Sequence, residues 1–227
     1  MPRAFHLHGV LFLLAAFTLL FFTALSLPFI PPLDLVRVHF GGVPSIGYGG
    51  QASLTELRFG TWGYCWYEST GARFCSSASH AYMVTVYNAD KSRFQFLAPP
   101  FTRGLAVHPT AVGLTFCALL LSLFTNTIIA LLVVLLTLLA SLFAIACIIV
   151  DLVLYTGIKH RMENLDGSIQ DTRLGTGFWM VVASFILLCL AGFTVCFGRR
   201  RDRMSGATSY PLTHHKKPSN WRARFPL

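Results

Sequence analysis

Residues 105–155 read LAVHPTAVGLTFCALLLSLFTNTIIALLVVLLTLLASLFAIACIIVDLVLY, and this apolar stretch decides the fold. It contains one carboxylate, Asp151, and one histidine, His108. A single helix of that length would measure about 76 Å, which is more than twice the roughly 30 Å of a bilayer's hydrocarbon core. The stretch must therefore fold back on itself. The polar triplet Thr-Asn-Thr at 125–127 is the place where we expect the turn.

Four membrane spans account for the apolar residues of the chain. The folded-back stretch supplies two of them, at 105–124 and 128–150, and apolar runs at 10–27 and 174–197 supply the others. Hydrophobic residues make up 54% of the 227 residues and charged residues make up 12%, against about 25% charged in a typical soluble domain. This composition excludes a soluble enzyme and a disordered regulator, and it indicates an integral membrane protein.

The first apolar run, 10–27, has two interpretations. It contains no Asp, Glu, Lys or Arg, and it ends at Pro28, which cannot continue a helix. A signal peptide has an apolar core of about 7–15 residues before a small-residue cleavage site, and the Ala-Leu-Ser sequence at 24–26 could serve as that site. The run is longer than such a core, so we favour a retained span preceded by a short terminus at 1–9.

The orientation of the chain follows from its basic tail, residues 198–227, in which only Asp202 opposes a concentration of lysine and arginine. The positive-inside rule places this tail in the cytoplasm. Counting back through four spans puts the N-terminus in the cytoplasm and the segments 28–104 and 156–173 outside.

The start of the tail forms a basic flank beside the last span. Strongly hydrated guanidinium groups do not enter hydrocarbon, so they end the span and face anionic membrane lipid rather than nucleic acid. Cys196 lies beside this flank, where it is open to palmitoylation or to simple packing. The flank consists of Arg199, Arg200, Arg201 and Arg203.

The outer segment 28–104 is predicted to contain a small β-sheet. Residues 54–67 and 80–87 are rich in aromatic and β-branched side chains, which favour strands, whereas the glycine-rich stretch Gly41 to Gly50 is typical of a loop. An isolated small sheet is marginally stable in water, so this one needs a further tie.

Cys65 and Cys75 can supply that tie as a disulfide, because both lie in the outer segment, where disulfides persist. Closing so short a loop contributes about 3 kcal/mol in the chain-entropy estimate. The rival interpretation is a metal site, and it is disfavoured because the sequence shows no clear second pair of ligands.

A short box, GTWGYC at 60–65, followed by a second cysteine, resembles the corresponding region of the fungal PalI family, whose four-span members are similar to claudins. The sequence HPTAVG at 108–113 also resembles the start of the second span in that family. The resemblance implies an all-α transmembrane four-helix bundle with a small disulfide-tied extracellular β-sheet, a claudin-like fold. The residues that carry it are Gly60, Trp62, Gly63, Tyr64, Cys65 and Cys75.

The same resemblance implies a plasma-membrane protein of the ambient-pH response. PalI-type proteins assist a PalH-type seven-span sensor, and a related group of four-span fungal proteins organises cortical membrane domains and influences the cell wall. Many PalI proteins carry a long cytoplasmic tail, whereas the tail here, 198–227, is short. Binding to other membrane proteins is therefore the expected activity, with organisation of membrane domains, including self-association, as the alternative.

No catalytic chemistry is expected. The sequence lacks Gly-x-Ser-x-Gly, His-Glu-x-x-His, a phosphate loop and a dinucleotide fingerprint, so we predict neither an enzyme nor a cofactor site. Asp151 is the one carboxylate within a span, and a channel or transporter could use it. We favour an interfacial aspartate that faces water or caps the loop, although a contact with His108 is geometrically open. His39, His80 and His160 are the outer histidines that could titrate near neutral pH.

Small and aromatic residues give two further expectations. Ala140 and Ala144 have the spacing that allows close helix approach, either within the bundle or between copies of the chain. Trp62 is expected to anchor the core of the outer sheet, and the neighbouring pair Trp66 and Tyr67 is the better candidate for contact with a partner.

Overall fold

The structure is a computed structural model that describes residues 2–41, 44–46, 54–88, 92–124, 126–165 and 169–208. For residues 2–6, 127, 169, 170 and 196–208 it describes the backbone path alone. The side chains of Cys196, Arg199, Arg200, Arg201 and Arg203, and the residues from 209 onwards, lie outside this description.

Four helices of the described chain are long and apolar enough to cross a membrane, as the sequence predicts. Thr176–Thr208 includes the backbone of the predicted basic flank, so the last helix continues beyond the apolar run. The helices are α1 (Pro2–Ala24), the short α2 (Pro99–Arg103), α3 (Val107–Ser122), α4 (Thr127–Glu163) and α5 (Thr176–Thr208).

The chain folds back where the polar triplet predicts. Helix α3 ends at Ser122 and α4 begins at Thr127. The side chain of Asn126 accepts a hydrogen bond from the backbone N–H of Ile128, at 3.1 Å, and so caps the start of α4. A 3₁₀ turn over Gly104–Ala106 precedes α3 and links it to α2.

Helix α4 is longer than the sequence predicts. It has 37 residues, or about 55 Å, so it rises well beyond a hydrocarbon core of about 30 Å. The predicted span ends at residue 150 and the predicted outer loop begins at 156, whereas the helix continues to Glu163. The reason is burial, because Leu154, Ile158 and Met162 recur every four residues and pack into the core of the outer sheets.

In the described residues, eight strands form two antiparallel sheets outside the bundle. The larger has the order β5-β4-β3-β1-β8 and the smaller has the order β2-β6-β7. The strands are β1 (Val36–Phe40), β2 (Ser45–Ile46), β3 (Leu54–Phe59), β4 (Tyr64–Glu68), β5 (Arg73–Cys75), β6 (Val84–Tyr87), β7 (Phe94–Leu97) and β8 (Ile169–Leu174). We refer to the two sheets together with α2 as the outer domain.

The strand predictions are correct for part of the sheet. Residues 54–67 supply β3 and β4, but the predicted strand 80–87 begins only at Val84, since Ala81 has a φ of 55° in a turn. The stretch from Gly41 to Gly50, predicted as a loop, contains β2. The sequence also gave no indication of β8, which pairs with β1 as the edge strand of the larger sheet.

The described residues form two apolar cores, which lie end to end. The outer core combines side chains from both sheets, such as Val38 and Val86, with the upper part of α4. The bundle core combines all four spanning helices and contains Ala140 and Ala144, both fully buried. These two alanines therefore serve close packing within the bundle and are covered against contact with a second copy.

Candidate functional site

The box at 60–65 docks onto the end of α1. The indole Nε1–H of Trp62 donates to the carbonyl of Ala24 at 2.6 Å, and the backbone N–H of Trp62 donates to Leu27 O at 3.2 Å. The neighbouring Thr61 donates its backbone N–H to Ser26 Oγ at 2.9 Å and its hydroxyl to Thr23 O at 3.1 Å. These contacts tie the outer domain to the first span.

The glycines of the box allow this close approach. A Cβ on Gly60 would lie 2.5 Å from Leu27 Cβ and 2.7 Å from Leu27 N, and a Cβ on Gly63 would lie 2.6 Å from Ser76 Oγ. The backbone N–H of Tyr64 donates to the same Ser76 hydroxyl at 3.1 Å. Gly60 therefore lies too close to the backbone of Leu27 to carry a side chain, and Gly63 lies too close to the hydroxyl of Ser76.

The Cys65–Cys75 disulfide predicted from the sequence is present. The two residues are cross-strand partners of β4 and β5, with Cα atoms 4.0 Å apart. The metal interpretation fails for this pair because both sulfur atoms are bonded to each other. No group of three or more His, Cys, Asp or Glu side chains suited to a metal ion occurs within the described residues.

The tryptophans occupy other positions than the sequence suggested. Trp62 is half-buried at the end of α1, with its ring 5.7 Å from that of His80, instead of lying in the sheet core. Trp66 packs partly against the outer core and stacks on Phe74 at 5.7 Å. Side chains alternate between the two faces of a strand, so Tyr64 and Trp66 of β4 lie on the core side of the sheet. Tyr67 lies on the opposite face, 4.5 Å from the guanidinium of Arg58.

Replacing Trp62 by phenylalanine should weaken the attachment of the outer domain to α1. The ring volume is largely kept, but the hydrogen bond to Ala24 O is lost and a carbonyl is left without its donor, so we expect a loss of about 1–2 kcal/mol of unfolding free energy. Thermal unfolding of the detergent-solubilised chain measures this. Trp179→Phe, at a site 61% exposed on α5, is the matched control, and equal losses in both variants would contradict the prediction.

Charged side chains on the outer face of the larger sheet pair with one another, and we call this set the charge lattice. Cross-strand pairing places Arg37 beside Arg58 and Arg173, and it places His39 beside Glu56 and Asp171. Arg37 donates to the buried Asp34 at 2.8 Å, and this hydrogen bond raises the pKa of its guanidinium. The lattice consists of Asp34, Arg37, His39, Glu56, Arg58, Asp171 and Arg173.

The arginines of this lattice also act on their acidic partners. The hydrogen bond from Arg173 holds the pKa of Asp171 below its ordinary value. Arg58 donates through two nitrogens to the two carboxylate oxygens of Glu56, at 2.9 and 3.0 Å. Because each acid has an arginine partner, the face is electrically balanced and its charges mainly fix the register of β1, β3 and β8.

The three outer histidines are not brought together. His39 lies in the charge lattice, 3.9 Å from Glu56, while His80 stacks on Trp62 and His160 is exposed in the last turn of α4. They therefore form neither a metal site nor a shared titrating cluster.

His108 and Asp151 meet at the base of the outer domain. The Nε2 atom of His108 lies 3.4 Å from Oδ2 of Asp151, and their side chains are 1% and 0% exposed. The expectation that Asp151 faces water is wrong, because α4 continues upward beneath the outer sheets and covers this position. The contact that the sequence left open is present, and the pair stands between the bundle core and the outer core.

Tyr82 lies close to this pair. Its hydroxyl donates to Gly60 O at 2.8 Å, and burial raises the pKa of that hydroxyl, with the negative charge of Asp151 adding to the effect. The backbone carbonyl of Tyr82 accepts from Thr102 Oγ1 at 2.8 Å. Tyr82 thus joins the box, through Gly60, to the segment that leads into α3, through Thr102.

Comparison with known proteins gives one result. The model of the SUR7/PalI family matches residues 5–191, which is most of the chain and includes the box, the disulfide, the His108–Asp151 pair, the apolar part of the first three spans and most of the fourth span. No curated protein matches the chain.

Proposed function

Because this chain belongs to the SUR7/PalI family, we propose that it is a non-catalytic plasma-membrane accessory protein of an alkaline-pH sensing complex, and that it assists a PalH-type seven-span sensor. In this proposal both termini are cytoplasmic and the outer domain is extracellular. Membrane lipid surrounds the bundle, and the basic flank contacts its anionic headgroups.

The observation that supports the proposal is that the outer domain is attached to three of the spans. The box attaches it to α1, the upper half of α4 runs through its core, and β8 attaches it to the start of α5. The backbone N–H groups of Gly175 and Gly177 donate to Leu35 O and Asp34 O, each at 2.8 Å. A domain held at three spans presents a fixed outer surface next to a fixed set of helices, as binding to another multi-span protein requires.

The packed bundle favours binding over transport. Its core is filled by leucine, valine and alanine side chains from all four spans, and Asp151 contacts His108 at the outer end. A transport pathway would need polar groups along the bundle. In the described residues the buried hydroxyls of the spans, such as Thr115, Thr137 and Ser184, instead bond to carbonyls of their own helices.

A deletion strain of the source organism tests the proposal. We expect sensitivity to alkaline medium together with loss of the tagged seven-span sensor from the plasma membrane, both restored by the wild-type gene. Normal alkaline growth with a correctly placed sensor would contradict the proposal. Immobile membrane patches that depend on this chain would then favour an organiser of membrane domains.

Whether the outer histidines sense pH directly is tested by a separate prediction. Because His39, His80 and His160 lie apart from one another and form no cluster, we expect a variant with all three replaced by glutamine to restore alkaline growth as fully as the wild type. Growth of the rescued deletion strain across a pH series measures this. The variant must reach the membrane at wild-type level, and a selective failure at alkaline pH would show that these histidines take part in sensing.

A further inference from the structure

Three buried polar atoms at the base of the outer domain have no hydrogen-bond partner within the described structure. They are Nε2 of His108 and both carboxylate oxygens of Asp151. The nearest approach between the two side chains, 3.4 Å from Nε2 to Oδ2, is short enough for a strong charge interaction. A carboxylate at this depth is destabilising unless a positive charge or a proton compensates it.

The other ring nitrogen of His108 shows where a proton can reside. Nδ1 lies 3.1 Å from the backbone carbonyl of Leu105. A carbonyl only accepts hydrogen bonds, so Nδ1 carries a hydrogen and donates it. The remaining nitrogen, Nε2, is therefore the atom that gains or loses a proton, and it is the one that faces Asp151.

Among the described residues, no lysine or arginine lies in the first or the fourth span, which pack against the helices that carry the pair. The candidate spans of α1 and α5, Leu7–Ala24 and Thr176–Val195, contain no Asp, Glu, Lys or Arg, and His8 lies at the far end of the bundle. From the outer domain the pair faces Tyr82, and from α4 it faces Cys147, one turn before Asp151. Within the described residues, His108 is the basic side chain that lies against Asp151.

We propose that His108 and Asp151 form a binding site for one proton, held between Nε2 and Oδ2, and that this proton locks the outer domain onto the bundle. With the proton in place the pair has no net charge, either as imidazolium and carboxylate or as imidazole and carboxylic acid. Release of the proton to water leaves a neutral Nε2 lone pair facing a buried carboxylate, which is repulsive and unhydrated.

The position of the pair explains why release of the proton affects the outer domain. His108 stands in the junction segment, residues 102–108, in which Thr102 bonds to Tyr82 O and Leu105 belongs to the outer core. Asp151 stands on α4 immediately below Leu154, the first fully buried α4 side chain of the outer core. Hydrating a bare carboxylate requires the junction segment to move away from α4, and this movement releases the contacts above it.

The sign of the pH effect follows from counting protons. In the unfolded chain the separated imidazole loses its proton near its ordinary value of about 6.5. The folded pair gives up the shared proton only at the expense of an uncompensated buried charge. Because loss of this proton leaves an uncompensated buried charge only in the folded state, the stability of the folded state falls as the pH rises.

Hydrogen–deuterium exchange of the full chain in nanodiscs, from about pH 6 to about pH 9, tests this inference. After division by the intrinsic exchange rate, a one-proton opening raises exchange in residues 102–108 by up to about tenfold per pH unit. We expect this rise in the wild type and in the exposed controls His160→Gln and Glu163→Gln. In Asp151→Asn, which keeps the shape but cannot form the carboxylate, we expect no rise with pH.

A pH-independent wild type, or an Asp151→Asn variant that retains the rise, would overturn the proposal. Infrared difference spectra of the wild type between the two pH extremes give a second readout that needs no variant. Loss of a buried carboxyl or imidazolium signal in step with exchange supports the proposal, and a spectrum without either signal contradicts it. The proton site does not depend on the proposed function, because these measurements use the isolated chain and alkaline growth tests the complex.

Discussion

Replacing Gly60 by alanine is expected to prevent the outer domain from docking on the first span. The added Cβ would lie 2.5 Å from Leu27 Cβ, 2.7 Å from Leu27 N and 2.9 Å from Leu27 Cα. A flexible side chain could rotate away, but two of these atoms belong to the backbone of Leu27, which is fully buried. We therefore expect a loss of about 3 kcal/mol or more, at the upper end of the usual cost of overpacking.

Measurement of this effect requires the whole membrane protein. The yield of monodisperse chain in detergent and its thermal unfolding temperature should both fall sharply for Gly60→Ala. Gly113→Ala is the matched control, because a Cβ on that glycine of α3 would meet no atom within 4 Å, and alanine favours the helix. A Gly60→Ala protein as stable as the control would show that α1 and the box do not meet in this way.

Removing the disulfide is expected to have the other large effect. Cys65 and Cys75 are 10 residues apart and join β4 to the short edge strand β5, which has three residues and one strand neighbour. Without the bond, the reduced chain regains the freedom of an open loop, so the double serine variant should lose about 3 kcal/mol of unfolding free energy. β5 should separate first, because little of it is buried.

Reduction provides an independent check of that figure. Wild-type protein treated with a thiol reductant should unfold at the temperature of the double serine variant, and the variant itself should not respond to the reductant. Cys117→Ser is the matched control, since this free thiol is exposed on α3. An unchanged unfolding temperature in the double variant would mean that the strand pairing alone holds β5.

The bundle was predictable because it depends on composition. Apolar runs, one polar triplet and a basic tail were sufficient to place four spans and the fold-back, because a span needs only length and hydrophobicity. The upper part of α4 was predictable in principle, since Leu154, Ile158 and Met162 recur at helical spacing. The polar residues that follow Tyr155 favoured a loop, and burial against the outer sheets overrides that preference.

Contacts between distant segments were not predictable to the same extent. The box was recognised from its residues, but nothing in 60–65 indicates that Trp62 reaches Ala24 and that Thr61 bonds to Ser26. Strand β8, IQDTRL, is polar and short, and it becomes a strand because β1 offers a free edge. The burial of Asp151 depends in turn on the sheets that α4 supports. Each of these features forms only where the tertiary structure brings distant segments together, so none of them can be read from a local stretch of sequence.

The pairing of β8 with β1 has a consequence for biosynthesis. Residues 169–174 leave the ribosome only after the third span, α4, yet they complete a sheet whose other strands were made before the second span. The sheet therefore stays incomplete, with the β1 edge open, until the loop between the third and fourth spans has been synthesised. During that interval the nascent chain displays an unpaired strand edge, the kind of edge that can pair with another chain.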